Sequence, residues 1–151
     1  MKKSTEQIVM HKVNYIVGCR FRYGTKSPDM DLYDLGFGED AIYQNFWGNM
    51  QRACKYAIHL TCSLKLFWRD GHTAEYSASS DYTAFSNEIQ PLIGKTVKSV
   101  SLNHKNDFFI EFDECCLIII TRNDLNESWR LFAPGENTLH LVSNSKYLSL
   151  Q

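Results

Sequence analysis

The amino-acid sequence predicts one α+β domain, built mainly as an antiparallel β-sheet meander with one or two short helices. Aromatic residues are abundant, at nine Phe, eight Tyr and three Trp in 151 residues, and such side chains fill the half-buried faces of pleated sheets. Short alternating apolar runs separated by turn residues recur along the second half of the chain, as they do in hairpins. A chain of this length buries enough surface for one core, so we expect a single β-rich domain over 1–151.

A short helix is predicted near the beginning of the chain. Ser4 and Gln7 match a capping box, and apolar residues then recur at near-helical spacing as far as Ile16. The pattern that follows is extended, interrupted by turn residues, and it predicts a hairpin over 17–37.

The strongest hairpin signal is Asp70-Gly71, which joins the predicted strands 57–68 and 72–77. Asp-Gly between alternating apolar residues supplies the positive φ angles of a tight turn. Residues 39–56, by contrast, show mixed polarity and no clean period. We therefore predict a long connection there, with Phe46 and Trp47 packed back on the sheet.

A second helix is predicted after the polar residues 79–81. Pro91 should kink or restart it, and Gly94 can end it. Its apolar face is predicted to contain Phe85, Ile89, Leu92 and Ile93. Five strands are then predicted as a meander, at 97–102, 108–112, 117–121, 129–132 and 139–142.

The two halves of the chain are weakly alike. A strand, a turn and an acidic-apolar segment occur in both, so that 17–77 and 97–142 form the two parts of a predicted internal repeat. Residues 64–67 and 129–132 would be matching later strands. Two related β units sharing one core would account for this likeness, and coincidence is the alternative.

Composition also predicts where the chain resides. The first residues lack the apolar run of about 7–15 residues that marks a secretory signal, and no apolar run approaches the roughly 18 residues of a membrane span. The five cysteines form no C-x-x-C pair, which favours reduced thiols over a disulfide framework or a zinc site. We expect a cytoplasmic protein that does not associate with membranes.

A search for catalytic chemistry finds little. His59 and Cys62 are the nearest base and nucleophile, but residues three apart on a strand face opposite sides. The other histidines are scattered, with no metal-binding spacing. We expect no catalytic residue, no metal and no cofactor. A sequence pI near 6.5 gives no support for direct nucleic-acid binding.

Charge is segregated along the first forty residues. Six bases against one acid occupy 1–26, whereas 29–40 holds five acids and no base. Such separation can steer a charged partner, although the two blocks could instead pair with each other across a hairpin. The predicted partner-binding residues are Asp29, Asp31, Tyr33, Asp34, Glu39, Asp40 and Trp47.

A second group of residues has the composition of a structural clamp. Glu127 and Arg130 could pair beside Trp129, with the guanidinium stacked on the indole ring. We interpret this group as holding the last hairpin together. A ligand site is the less favoured interpretation.

The chain resembles a group of small bacterial proteins that are similar to the immunity proteins of polymorphic toxin and contact-dependent inhibition systems. The matching segments are 56–62, the strand-turn-strand around 97–112, and Glu127 to Pro134 followed by 139–142. The stretch 59–64 departs from that pattern because it lacks a Pro-Trp. The resemblance implies a fold and a non-catalytic role, and it supplies no catalytic residue.

Two functions follow as hypotheses. The first is an immunity protein that neutralises a cognate toxin domain, with a basic nuclease suited to the acidic block 29–40. The alternative is a small-molecule-binding domain or minor hydrolase, with a pocket near His59, Trp129 and Arg130.

Overall fold

The computed structural model describes residues 4–27, 32–44, 47–77, 82–124, 126–134 and 139–150. The predicted class is confirmed, since these residues form two short α-helices and mostly antiparallel strands. The helices are α1 (Thr5–Val13) and α2 (Tyr82–Ile89). The strands are β1 (Phe21–Lys26), β2 (Tyr33–Gln44), β3 (Met50–Leu60), β4 (Ser63–Trp68), β5 (Thr73–Tyr76), β6 (Ser99–Leu102), β7 (Phe108–Glu111), β8 (Cys115–Ile120), β9 (Trp129–Phe132), β10 (His140–Ser143) and β11 (Leu148–Leu150).

The strands form two sheets rather than one meander. The order in the first is β1-β2-β3-β9-β10-β11, and in the second it is β5-β4-β8-β7-β6. Alternate side chains of both sheets enter one buried cluster. Phe108 of one sheet and Trp129 of the other meet there, edge to face, with ring centroids 5.0 Å apart.

Both helices form where the sequence predicts them. The capping box is present, because Gln7 N donates to Ser4 Oγ at 3.1 Å and Ser4 N donates to Gln7 Oε1 at 2.9 Å. α2 ends at Ile89, and a 3-10 turn with Pro91 follows. The prediction for Ile93 is wrong: it is 42% exposed, because the chain turns away from the core at Gly94, whose φ is 90°.

The strand predicted over 57–68 is two strands. It breaks at Thr61, where the chain leaves the first sheet for the second. The crossing is fixed by Thr61 N, which donates to Ser128 O at 2.9 Å, and by its hydroxyl, which donates to Glu127 O at 2.8 Å. The hairpin of β4 and β5 is confirmed, with Gly71 at a φ of 96°.

The prediction of a long connection over 39–56 is wrong. β2 and β3 pair with each other as far as Gln44 and Met50, whereas β1 pairs with β2 only up to Phe37 and β9 pairs with β3 only from Ala57. Beyond these points the hairpin continues as a two-stranded projection, residues 40–54, which we call the ribbon. Trp47 in its loop is 80% exposed and is not packed on the sheet; Phe46 lies outside the described residues.

The two halves of the chain follow the same path. Three strands after α1 build the first sheet and the next two enter the second. Three strands after α2 build the second sheet and the next three enter the first, where β11 has no counterpart in the first half. β3 pairs with β9, and β8 correspondingly pairs with β4. The structure therefore has a pseudo-two-fold arrangement, in which β4 and β9 occupy matching places.

Hydrogen bonds at the centre of the molecule repeat the same symmetry. Gly18 N donates to Val97 O at 2.9 Å, and Gly94 N donates to Phe21 O at 2.8 Å. Phe21 is thus the counterpart of Val97. The likeness between the two halves of the sequence instead matches Val97 with Val17, which lies four residues earlier. A sequence duplication remains a prediction, and this arrangement is what it would produce.

Candidate functional site

The ribbon exposes large apolar side chains. Ile42 is 65% exposed, Met50 66% and Trp47 80%. Cross-strand partners share a face of an antiparallel pair, so the pairs of Ile42 with Arg52 and of Gln44 with Met50 lie on the same side. Apolar groups bordered by polar and charged ones are typical of a protein interface.

The fold does not require the ribbon. Its counterpart in the second half is the hairpin of β7 and β8, which ends after Glu111 and resumes at Cys115. No projection comparable with 40–54 occurs on that hairpin. The ribbon is therefore an addition to one half of a pseudo-symmetric structure.

A cleft of about 570 Å³ lies at the base of the ribbon, on the outer face of the first sheet. The cleft is deep at its centre because two residues with small or absent side chains, Gly36 and Ala57, are paired across β2 and β3. Tyr23 and Phe132, the next residues in the same cross-strand row, form its walls. Gly36 is needed here, because a Cβ at this position would lie 2.2 Å from Tyr23 Cε1.

Polar groups surround the floor of this cleft. The Tyr23 hydroxyl donates to Asp34 Oδ2 at 3.2 Å, and His59 Nε2 lies 3.4 Å from Asp34 Oδ1. The edge of the His59 ring meets the Phe132 ring, with centroids 4.7 Å apart. Burial and the Asp34 charge raise the pKa of the Tyr23 hydroxyl well above its usual range, so this group remains a hydrogen-bond donor.

The mouth of the cleft carries two guanidinium groups and one carboxylate. Arg22 Nη2 lies 3.4 Å from Asp40 Oδ1, and Arg52 Nη1 lies 4.0 Å from Asp40 Oδ2. All three side chains are substantially exposed, Arg52 most of all at 73%. Burial raises the pKa of the neighbouring Cys54 thiol, which keeps it neutral.

The predicted partner-binding residues do not form one surface. Asp34 lies in the cleft, Glu39 and Asp40 are exposed at the start of the ribbon, and Trp47 is in its loop. Asp29 and Asp31 lie outside the described residues. The pairing of Asp40 with Arg22 shows that the acidic and basic blocks partly neutralise each other, as the alternative interpretation of the charge pattern holds.

The prediction that Tyr33 binds a partner is wrong, because this residue lies in the core. It is 0% exposed, and its ring centroid lies 4.9 Å from that of Tyr76. Its hydroxyl shares a hydrogen bond of 3.2 Å with Ser86 of α2. Tyr33 belongs to the core because it alternates with the outward-facing Asp34 along β2.

The predicted clamp is present only as an ion pair. Arg130 Nη2 lies 2.6 Å from Glu127 Oε1. Stacking on Trp129 is wrong, because successive strand residues face opposite sides and Trp129 is 0% exposed in the core. Its indole N–H donates to Asn106 O at 2.8 Å. Of the three residues of the alternative pocket, His59 and Arg130 are cross-strand neighbours, and only His59 lines the cleft.

Four residues of this region were not predicted from the sequence: Ile42, Met50, Arg22 and Arg52. The signal for the first two was Gly48-Asn49 between two short segments that pair as strands. Gly-Asn is a turn dipeptide, and Gly48 has a φ of 82°. No local signal places Arg22 and Arg52 beside one carboxylate, since strand pairing brings them together.

In the part of the chain that the structure describes, no group of three or more His, Cys, Asp or Glu side chains is arranged to hold a metal ion. None of the helices in the described ranges has the length and apolar character needed to cross a membrane. Comparison with family models, curated proteins and solved structures gives no match to this chain.

Proposed function

We propose that this protein is a non-catalytic immunity protein, which binds a cognate bacterial toxin domain through the ribbon and blocks its activity. The observation that carries the proposal is the ribbon itself. It projects beyond the sheet, it exposes Ile42, Trp47 and Met50, and the matching hairpin of the other half has no such extension.

The composition of the ribbon suits a protein partner. Burying a large apolar side chain on association stabilises a complex by about 1.5–3 kcal/mol at most, and tryptophan is among the residues that dominate binding energy. Glu39, Asp40 and Arg52 border these groups and would restrict the choice of partner. A narrow projecting hairpin fits a concave surface, such as the active-site cleft of a toxin.

The charges of the ribbon favour a basic partner less strongly than the sequence predicts. Asp40 is shared between Arg22 and Arg52, so attraction to a basic nuclease would depend mainly on Glu39 among the acids that the structure describes. The proposed partner is therefore a toxin domain with an apolar cleft, and a basic nuclease is one such class. All five cysteines are free thiols, which suits the cytoplasmic location that the proposal requires.

The proposal is tested by capture and rescue. Tagged protein is used to retain partners from the native bacterium, and each retained protein is expressed alone and then together with this chain. We expect one retained domain to stop growth and this chain to restore it. A triple variant, Ile42→Ser, Trp47→Ser and Met50→Ser, should lose both capture and rescue.

A matched control separates the ribbon from general loss of apolar surface. Ile93 and Tyr147 are each 42% exposed outside the ribbon, and their replacement by Ser should leave capture and rescue intact. Retained proteins that are harmless when expressed alone would contradict the immunity role. Full rescue by the ribbon triple variant would contradict the assignment of the surface.

A small-molecule-binding domain or minor hydrolase is the second candidate function. The cleft at the base of the ribbon favours it, because about 570 Å³ falls within the range of ligand sites and His59 contributes to its lining.

A further inference from the structure

The second sheet provides an internal comparison for the cleft. In the pseudo-two-fold arrangement β8 corresponds to β3 and β4 corresponds to β9, with Lys65 at the place of Arg130. Ile118 pairs with Lys65 as His59 pairs with Arg130, so Ile118 corresponds to His59. Phe109 pairs with Ile118, so it occupies the place of Asp34. The same outer position of the fold therefore carries an apolar pair in one half and a polar pair in the other.

The floor of the cleft differs in the same way. Glu111 pairs with Cys116 in the second sheet, at the positions that Gly36 and Ala57 occupy in the first. With larger side chains the hollow at this position is about 270 Å³ in one half, and with the smallest ones it is about 570 Å³ in the other. The greater volume of the cleft and the polar pair of Asp34 with His59 are therefore particular to the first sheet.

The hydrogen-bonding groups of the cleft indicate the charge of a ligand that would bind there. On the floor, Asp34 Oδ2 accepts from Tyr23, whereas Asp34 Oδ1 lies 3.4 Å from His59 Nε2, is buried and has no hydrogen-bond partner among the described residues. Both oxygens of Asp40 face arginines. At the mouth of the cleft the carboxylate of Asp40 is thus engaged, whereas a guanidinium group has five N–H donors.

The two arginines retain most of their donors. Among the described residues, the contacts of Arg22 and Arg52 with Asp40 are their ion pairs, at 3.4 and 4.0 Å. Exposed pairs at such distances contribute little stability, so an incoming anion can compete with Asp40. Two guanidinium groups can offer paired N–H groups to a carboxylate or a phosphate.

We propose that the cleft is a binding site for a small organic anion that carries a carboxylate or a phosphate monoester. The oxyanion lies between Arg22 and Arg52, and the organic part of the ligand lies over Ala57 against Phe132. The aromatic walls favour a flat or apolar body. This inference goes beyond the toxin-binding role and does not depend on it, because it concerns the isolated protein.

The test is a titration of the isolated protein by NMR at constant ionic strength. The probes are inorganic phosphate, phenyl phosphate and benzoate, with neutral benzyl alcohol for comparison. We expect phenyl phosphate or benzoate to shift the signals of Tyr23, Ala57 and His59 in a saturable way. Arg22→Gln and Arg52→Gln should each weaken that binding by about tenfold, as expected for loss of a charge-assisted hydrogen bond.

Arg122 supplies a matched control. Its guanidinium lies 2.8 Å from Asp124 and is 41% exposed, so Arg122→Gln removes the same charge at a similarly exposed ion pair outside the cleft. This variant should bind the probes as the unmodified protein does. Equal weakening by Arg122→Gln would show general attraction of anions and would overturn the proposal.

A further probe identifies the source of the anion. A glutamate capped at both ends represents the acidic side chain of a protein partner, whereas phenyl phosphate and benzoate represent free metabolites. Tighter binding of an aryl anion supports the site and assigns it to metabolites; tighter binding of capped glutamate supports it and assigns it to a protein side chain. Absence of saturable binding by every probe would overturn the proposal.

Discussion

Arg20 and Thr96 form an isolated antiparallel bridge where the two halves of the chain meet. The hydrogen bonds on either side of this bridge come in matched pairs, so each half contributes the same backbone path to the centre. Because the fold is built twice, features that occur in only one half stand out. The ribbon is such a feature, and the cleft at its base is larger than the matching hollow of the second sheet.

The glycines beside this bridge should be equally sensitive to substitution. Gly18 and Gly94 have φ angles of 85° and 90°, and no atom lies close enough to clash with an added Cβ. Gly18→Ala and Gly94→Ala should therefore each cost about 1–2 kcal/mol of unfolding free energy through backbone strain alone. Urea unfolding measures both. An unchanged stability in either variant would contradict the matched roles of these residues.

A double-mutant cycle tests the packing that creates the cleft. Gly36→Ala places a Cβ against the Tyr23 ring, and we expect overpacking to cost about 1–3 kcal/mol. The same substitution in a Tyr23→Ser background should cost less, because the clashing ring is absent. Unfolding free energies of the four proteins give the coupling. Equal costs in both backgrounds would show that Tyr23 does not close this position.

Trp129 and Arg130 should differ sharply although they are adjacent. Trp129 is fully buried and hydrogen-bonded to Asn106, so Trp129→Ala is expected to cost about 3–5 kcal/mol. Arg130→Ala removes only a partly exposed ion pair with Glu127, and should cost about 0–1 kcal/mol. Chemical unfolding distinguishes the two. Similar losses of unfolding free energy in the two variants would instead support the predicted clamp, in which both residues act together.

The His72 side chain should make stability depend on pH. Its Nε2 lies 2.6 Å from Glu88 Oε2, and the hydrogen bond and charge of Glu88 raise the pKa of His72 above its ordinary 6.5. A raised folded-state pKa stabilises the protein fully below pH 6.5, and this contribution is lost as pH rises through the folded value.

This linkage is checked with Glu88→Gln. NMR titration should give a His72 pKa above 6.5 in the unmodified protein and a lower one in the variant. The stability difference between the two proteins should shrink as the solution becomes more alkaline. A difference that stays constant from mildly acidic to mildly alkaline pH would contradict the pairing.

Local signals account for the elements that the sequence predicts well. A capping box places α1, and Asp70-Gly71 places the turn of β4 and β5. In the second half, the unbroken apolar run of β8 between turn residues predicts a buried strand, and its side chains are buried or half-buried except at Ile120. The α+β class follows from these elements.

Other features depend on pairing between distant residues, which local patterns do not encode. The ribbon escapes detection because Ile42 and Met50 are apolar and exposed, so the apolar period does not mark a buried face. The division into two sheets rests on pairing between β3 and β9. Asp34 meets His59 only through the register of β2 with β3, so this part of the cleft could not be predicted.

The central claim is that the ribbon binds a toxin partner and is not required for folding. The most direct test replaces residues 38–55 with Asn-Gly, which closes the Phe37 and Tyr56 pair as a two-residue turn. The measurement is growth of cells that express the captured toxin with this shortened protein, once circular dichroism shows that the protein is folded. We predict no growth, whereas growth equal to that with the unmodified chain would contradict the claim.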